Sequence, residues 1–163
     1  MKAAVIYYSL EGNTRLAAEL IARKLDADLI PLTPSKGYPP GKVSKYFWGG
    51  KSATFAEAPK LEPYDFDPDL YDLLVLGTPV WAGTFAPPLR TFIRENHLSA
   101  KKLALFACCS GGSTAKCFSQ IEREIGSVPA VSKLRLIDPL LGRQEEVDRS
   151  ITGFCAELTL RVG

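Results

Sequence analysis

Lys2–Leu20, KAAVIYYSLEGNTRLAAEL, decides the reading of this chain. Ala3 to Tyr8 is a continuous apolar run, rich in β-formers and short enough for a buried strand. Ser9 to Thr14, SLEGNT, is small, polar and turn-like. From Arg15 onward, Leu16, Leu20 and Ile21 recur at helical spacing. A strand, a short hydroxyl-bearing loop and a helix start, in that order, make an anion site. The first N–H groups of a helix have no intrahelical partners, and the helix dipole adds positive potential at the same end. Each dipole interaction contributes only about 0.3–1 kcal/mol. A phosphate would therefore need several donors at once. This loop offers the hydroxyls of Ser9 and Thr14, the Asn13 amide and successive backbone N–H groups. The plain alternative is an ordinary turn in which Asn13 or Thr14 caps the helix.

The rest of the chain alternates in the same way. The helix from Asn13 to about Lys24 leads to a second strand, Asp26–Leu32. Tyr71–Leu76, Lys102–Ala107 and Val131–Ile137 read as three further strands. Pro87 and Pro88 suit the first turn of a helix that fades near Asn96. Cys117, Ile121 and Ile125 mark another helix, and Gln144 to about Arg161 the last. The expected architecture is α/β: a doubly wound, five-stranded parallel sheet in the order 2-1-3-4-5, with helices on both faces. In such sheets a ligand sits beyond the carboxyl ends of the strands, at the switch point between the first and third.

The loops at that end bear this out. SLEGNT, TPVWAGT and CCSGGST leave the first, third and fourth strands, and each is small, polar and glycine-bearing. The loop after the fifth strand, Asp138–Gly142, shows less of this character. A flat ligand with a phosphate tail suits the arrangement, with its phosphate in the first loop and its ring between the other two. Trp81 offers an aromatic surface and an N–H donor.

With these three loops quoted, the sequence resembles the flavodoxin family over essentially its whole length. The family's phosphate loop corresponds to Ser9, Leu10, Glu11, Gly12, Asn13 and Thr14. Its second flavin loop corresponds to Thr78, Pro79, Val80, Trp81, Ala82 and Gly83. The third, a Ser/Thr-Gly-Gly-Ser pattern, corresponds to Ser110–Ser113, with Cys109, Ser110, Gly111 and Gly112 expected at the cofactor. The resemblance implies noncovalent FMN, with 78–83 near the N5 edge of the flavin and 109–112 near its pyrimidine edge. Loops 3 and 4 carry no carboxylate to oppose negative charge on the flavin, and the side chain of Glu11 is expected to point outward. No catalytic side chain and no metal ligand set is expected. Two departures are plain. Dedicated carriers of the family are strongly acidic, whereas this chain has a net charge of +2. The loop after the fourth strand also lacks the acidic and aromatic residues that cover the second ring face in long-chain carriers.

Size and composition bound the remainder. A chain of 163 residues suits a single domain spanning 1–163. The charge is too small, and the basic residues too scattered, for nucleic acid. No apolar run approaches the ~20 residues of a membrane span, and no signal-peptide pattern opens the chain. The four cysteines, at 108, 109, 117 and 155, have no pairing pattern, which suits free thiols in the cytoplasm. Cys108, Cys117 and Cys155 read as core. His97 reads as a helix-end cation, and Asp65, Asp67, Asp69 and Asp72 as a solvated turn.

Residues 33–70 are broken by prolines and glycines, with short helical turns expected only at Lys42–Phe47 and Ser52–Glu57. Their aromatics, Tyr38, Tyr46, Phe47, Trp48, Phe55, Tyr64 and Phe66, are expected to cover the sheet's edge rather than to touch a cofactor. The function expected is that of an FMN-binding redox protein, monomeric or homodimeric. It would pass electrons to a redox partner protein or reduce a small electron acceptor such as a quinone. The alternatives are an NAD(P)H-dependent FMN or quinone reductase, and a non-redox module that has lost its flavin. A phospho-acceptor domain of the same topology fails, because Gly77 follows the third strand where an aspartate is needed.

Overall fold

The computed structural model describes residues 1–38, 57–98 and 101–163. The elements follow in chain order: β1 (Ala3–Tyr7), α1 (Asn13–Leu25), β2 (Asp28–Pro31), β3 (Leu73–Trp81), β4 (Thr84–Phe85), α2 (Pro87–Glu95), β5 (Lys102–Cys109), α3 (Ala115–Glu124), β6 (Ser132–Ile137) and α4 (Gln144–Val162). The sheet order is β2-β1-β3-β5-β6, and all four pairings along it are parallel. This is the expected 2-1-3-4-5 winding with one addition. The two-residue β4 turns back against the end of β3 as an antiparallel hairpin.

Alternation along the strands explains the layers, because successive side chains point to opposite faces. Ala4, Ile6, Leu74, Leu76, Leu103 and Leu105 pack with Leu89, Phe92, Cys117 and Ile121 from α2 and α3. Ala3, Val5, Leu73, Val75, Ala104 and Phe106 pack with Ala17, Ile21, Ile151, Phe154 and Leu158 from α1 and α4. Both faces are therefore covered, which is why these strands read as unbroken apolar runs. Pro31 is tolerated because β2 lies at the edge of the sheet.

Between β2 and β3 the described residues hold no long element. Asp67 caps a short 3-10 turn, Pro68–Leu70, by accepting from the Asp69 N–H. The nearby acids face separate partners: Asp69 pairs with Lys101 at 3.4 Å, and Asp72 accepts from the Lys2 N–H at 2.6 Å. Tyr64 and Phe66 lie against Phe92 of α2, and Phe66 also stacks on Tyr71. Those two rings pack against α2 on one face of the sheet, not along the edge strand β2. Tyr46, Phe47, Trp48 and Phe55 lie outside the described residues, as do the helical turns expected at Lys42–Phe47 and, but for its last residue, Ser52–Glu57.

The largest difference from the sequence reading is the length of β3. A turn was expected from Gly77, yet the strand continues through Thr78, Pro79 and Val80 to Trp81. Pro79 can sit there because β1 ends opposite Gly77, so the neighbour that would need the missing N–H is gone. Ala82 and Gly83, both at positive φ, make the two-residue turn to β4. Gly77 itself lies where the Phe106 ring crosses the sheet, and a β-carbon there would fall inside the ring's van der Waals envelope.

Two predictions follow from this packing. Gly77→Ala drives a methyl into the fully buried Phe106 and is expected to destabilise the fold by about 1–3 kcal/mol; a urea midpoint equal to that of the parent contradicts the packing. The second concerns alkali. Burial pushes the Cys108 and Cys117 thiols up to about 12 and Cys155 up to about 11. Unfolded thiols ionise near their ordinary value of 9. A raised folded value means that this contribution to stability is complete below pH 9 and is lost as pH climbs toward 12. Urea unfolding from pH 8 to 11 is expected to show a falling midpoint, and a flat profile contradicts burial of the three thiols.

Candidate functional site

The strands of the sheet do not end together. β1 stops at Tyr7, while β3 runs on to Trp81 and β5 to Cys109. The last sheet-like contact of the first strand is the Tyr8 N–H donating to the Gly77 carbonyl at 3.2 Å. Beyond it lies a cleft of about 460 Å³, counting the solvent at its mouth. It is floored by the loop between β1 and α1 and walled by the extensions of β3 and β5.

The cleft brings together Ser9, Leu10 and Glu11 from the first loop, Asn13 and Thr14 from the start of α1, Pro79, Val80 and Trp81 from β3, Cys109 from the end of β5 and Ser110 just beyond it. All were singled out in the sequence. Gly12, Thr78, Ala82, Gly83, Gly111 and Gly112 do not line it. Gly12 lies beneath as the N-cap of α1, at φ 104 and with no side chain to cap the helix. A β-carbon on it would come within 3.3 Å of the Leu140 side chain. Thr78 is fully buried. Its hydroxyl donates to the Pro79 carbonyl at 2.8 Å and accepts from the Ala86 N–H at 2.9 Å, so it ties the end of β3 to the start of α2.

The plain reading of the first loop, with Asn13 or Thr14 as cap, is not what forms. Asn13 is already inside α1, and its Oδ1 accepts from the Leu140 N–H at 2.9 Å. Thr14 is buried beneath the cleft. The Ser9 hydroxyl accepts from the Gly12 N–H at 3.2 Å, closing the loop on itself. The first turn of α1 carries no acidic side chain, and Glu11, just before it, is exposed. The helix therefore begins with orphan N–H groups and positive potential at the cleft floor.

Trp81 is a wall rather than an open platform. It is 6% exposed and belongs to the core on the α2–α3 side. Tyr8 and Tyr38 meet it edge-on, with ring centroids 5.6 and 5.1 Å away. Tyr38 thus departs from the edge-covering role expected of its segment and braces the cleft instead.

Two lining residues escaped the sequence reading, Cys108 and Asp138. Cys108 read as strand core, which it also is. Asp138 comes from the loop after β6, where no glycine-and-hydroxyl pattern advertised a role. Its carboxylate accepts from the Ser110 hydroxyl at 3.1 Å. Among the described residues no group of three or more His, Cys, Asp or Glu side chains is arranged to hold a metal ion. No helix among them is long and apolar enough to cross a membrane.

Comparisons with known proteins agree with this geometry. A family model described as flavodoxin matches residues 2–138. No curated protein matches the chain. Among solved structures, a flavoprotein from Lactobacillus acidophilus, determined in complex with FMN, is similar at 23% identity. That match covers 91% of this chain and 97% of its own, with a TM-score of 0.74. A flavodoxin from the domain Archaea matches at 18% identity over 98% of this chain and 99% of its own, with a TM-score of 0.59. A WrbA-like flavodoxin from Agrobacterium tumefaciens matches at 14% identity over 98% and 97%, with a TM-score of 0.59. At these identities the structural likeness concerns the fold, and the family match rests on the sequence itself. The chain belongs to the flavodoxin family.

Proposed function

We propose that the cleft binds FMN and that the protein is a flavin redox protein, exchanging electrons with a partner protein or a small acceptor. The observation that carries this reading is the uncapped start of α1, which opens into the same cleft as the ends of β3 and β5. A phosphate on a flat ring system needs both parts side by side. The donor set fits the group. The N–H groups of the first turn and the hydroxyls of Ser9 and Thr14 would hold the phosphate by hydrogen bonding, without an obligatory lysine or arginine. Val80 and Trp81 on one side, and Cys109 and Ser110 on the other, would hold the ring.

FMN, when bound there, supplies the electron-accepting ring, and the protein supplies position, polarity and access. The buried Trp81, braced by Tyr8 and Tyr38, keeps one wall rigid and apolar. Leu10 and Val80, both packed against the core, continue that wall and exclude water. The four cysteines are free and buried, which suits a reducing, cytoplasmic setting. The near-neutral charge suits a partner that does not depend on a strongly acidic surface.

Titration of the purified protein with FMN, followed by flavin fluorescence, tests the reading. Saturable quenching is expected, and a protein that takes up no FMN overturns it. Glu11→Gln removes a negative charge beside the phosphate loop and is expected to leave affinity unchanged or slightly tighter; a large loss contradicts the placement of the phosphate. Steady-state oxidation of NAD(P)H by the FMN-loaded protein then separates two roles. A carrier shows negligible turnover without a separate reductase, whereas rapid turnover makes the protein a reductase in its own right.

A further inference from the structure

The net charge of +2 conceals an uneven distribution. Asp65, Asp67, Asp69 and Asp72 gather just before β3, at the amino ends of the strands. The candidate cleft lies at the opposite end, and beside it the charge has the other sign. Between α3 and the edge strand β6 runs an open groove of about 980 Å³, counting the solvent above it. Phe118 lies at its floor. Its sides carry Lys133, Arg135 and the Gly112–Ala115 start of α3, with no carboxylate among the lining residues. Beyond Ser119 the groove continues to Glu122 and Arg123.

Most of these cations do not serve acids of their own chain. Lys133 pairs with Glu122 at 2.8 Å. Lys116 and Arg123 on α3, and Arg135 on β6, are exposed and pair with no carboxylate among the described residues. Arg135 donates to the Gly112 carbonyl. The Lys116 side chain lies against the turn at Gly83, where a β-carbon would come within 3.9 Å of its Cδ. Two unpaired cations therefore flank the Ser110–Thr114 loop that walls the cleft. The first turn of α3 carries no acidic side chain, so the helix dipole adds positive potential at the same place. Charges on an edge strand also discourage strand pairing. That role requires neither Lys116 nor Arg123, which lie on a helix. An apolar centre accompanies the cations. Alternation puts Ile137 on the same face of β6 as Lys133 and Arg135. Ile137 is 51% exposed, and Leu141 in the turn after it is 86% exposed. Apolar contact within a charged rim is the anatomy of a protein interface.

We propose that this α3–β6 face docks the redox partner, and that the partner is an acidic protein drawn to Lys116, Arg123 and Arg135. The proposal rests on the FMN reading given above. A partner seated there meets the Ser110–Thr114 loop from outside, while the flavin would meet it from the cleft, so electrons cross one loop and the cleft need not open. The acidic turn before β3 repels the same partner. Attraction at one end and repulsion at the other orient the encounter. Each encounter moves one electron between partner and flavin, one centre being oxidised as the other is reduced, and any compensating proton is exchanged with water.

Plant-type ferredoxin, an acidic one-electron donor, serves as the probe. Reduced ferredoxin is mixed with the FMN-loaded protein, and loss of oxidised-flavin absorbance is followed by stopped flow. The rate is expected to fall about tenfold between about 0.01 and 0.15 M salt, as the Debye length shrinks from ~30 to ~8 Å. Lys116→Glu is expected to lower the low-salt rate about tenfold, with FMN affinity kept within about twofold. Lys102→Glu makes the same change in net charge at the amino end of β5, away from the groove, and is expected to stay within about twofold of the parent. The reduced protein is also mixed with cytochrome c, a basic one-electron acceptor, whose rate is expected to rise or hold as salt is added. A ferredoxin rate that rises with salt, or an equal loss in the two variants, overturns the docking face. A cytochrome c rate that falls steeply with salt overturns the acidic character of the partner. Protein that takes up no FMN overturns the FMN reading and this proposal together. Protein that binds FMN but passes electrons at rates indifferent to salt and to Lys116→Glu overturns this proposal alone.

Discussion

The central constraint in this molecule is that β1 ends before its neighbours. Hydrogen bonding between parallel strands carries β3 and β5 past the point where β1 has turned away into the Ser9–Gly12 loop. On the β1 side of that point, the sheet leaves a gap bounded by two rigid strand ends and one helix start. Everything placed in the gap follows from this. Pro79 is allowed there because no neighbour needs its N–H. Trp81 is braced there because Tyr8 and Tyr38 fill the space beside it. The orphan N–H groups of α1 face the gap because Gly12, at positive φ, turns the chain sharply into the helix without a capping side chain.

The polarity of the gap is set by backbone more than by charged side chains. The helix start and the Ser9 and Thr14 hydroxyls make one end a donor surface. The other end is lined by Val80, Cys109 and Ser110, with the Asp138 carboxylate the charge that reaches in beside Ser110. The positive potential at the start of α1 is built from dipoles that cannot titrate, and the loop after β6 is bonded both to Asn13 there and to Ser110 beyond it.

Much of this was legible in the sequence, for identifiable reasons. Strands buried on both faces produce unbroken apolar runs, so Ala3–Tyr8, Tyr71–Leu76 and Lys102–Ala107 announced a parallel sheet. Small, glycine-bearing loops after three of those runs marked the ligand end. The losses are equally physical. The Thr78–Trp81 stretch carries a proline and is flanked by two glycines, and so read as a turn, because sequence alone does not reveal that β1 stops opposite Gly77 while β3 runs on to Trp81. Thr78 read as a cofactor-binding residue along with its neighbours, and in the structure its hydroxyl is bonded to the Ala86 N–H. Trp81 read as a platform, and its burial depends on Tyr38, which arrives from an irregular segment with no periodicity to place it. Asp138 left no trace, since a lone aspartate before a proline looks like any turn until its left-handed backbone and its bond to Ser110 are seen.

On the proposed reading, one ligand occupies the cleft with its phosphate at the start of α1 and its ring between β3 and β5. Backbone amide shifts of the isotope-labelled protein, followed residue by residue as FMN is added, test this placement. The largest changes are expected at two separated groups, Leu10 to Arg15 and Val80 to Trp81 with Cys109 to Gly112, and inorganic phosphate alone is expected to move only the first. Shifts confined to other surfaces, or a response at the ring-side residues with none at the start of α1, would contradict it.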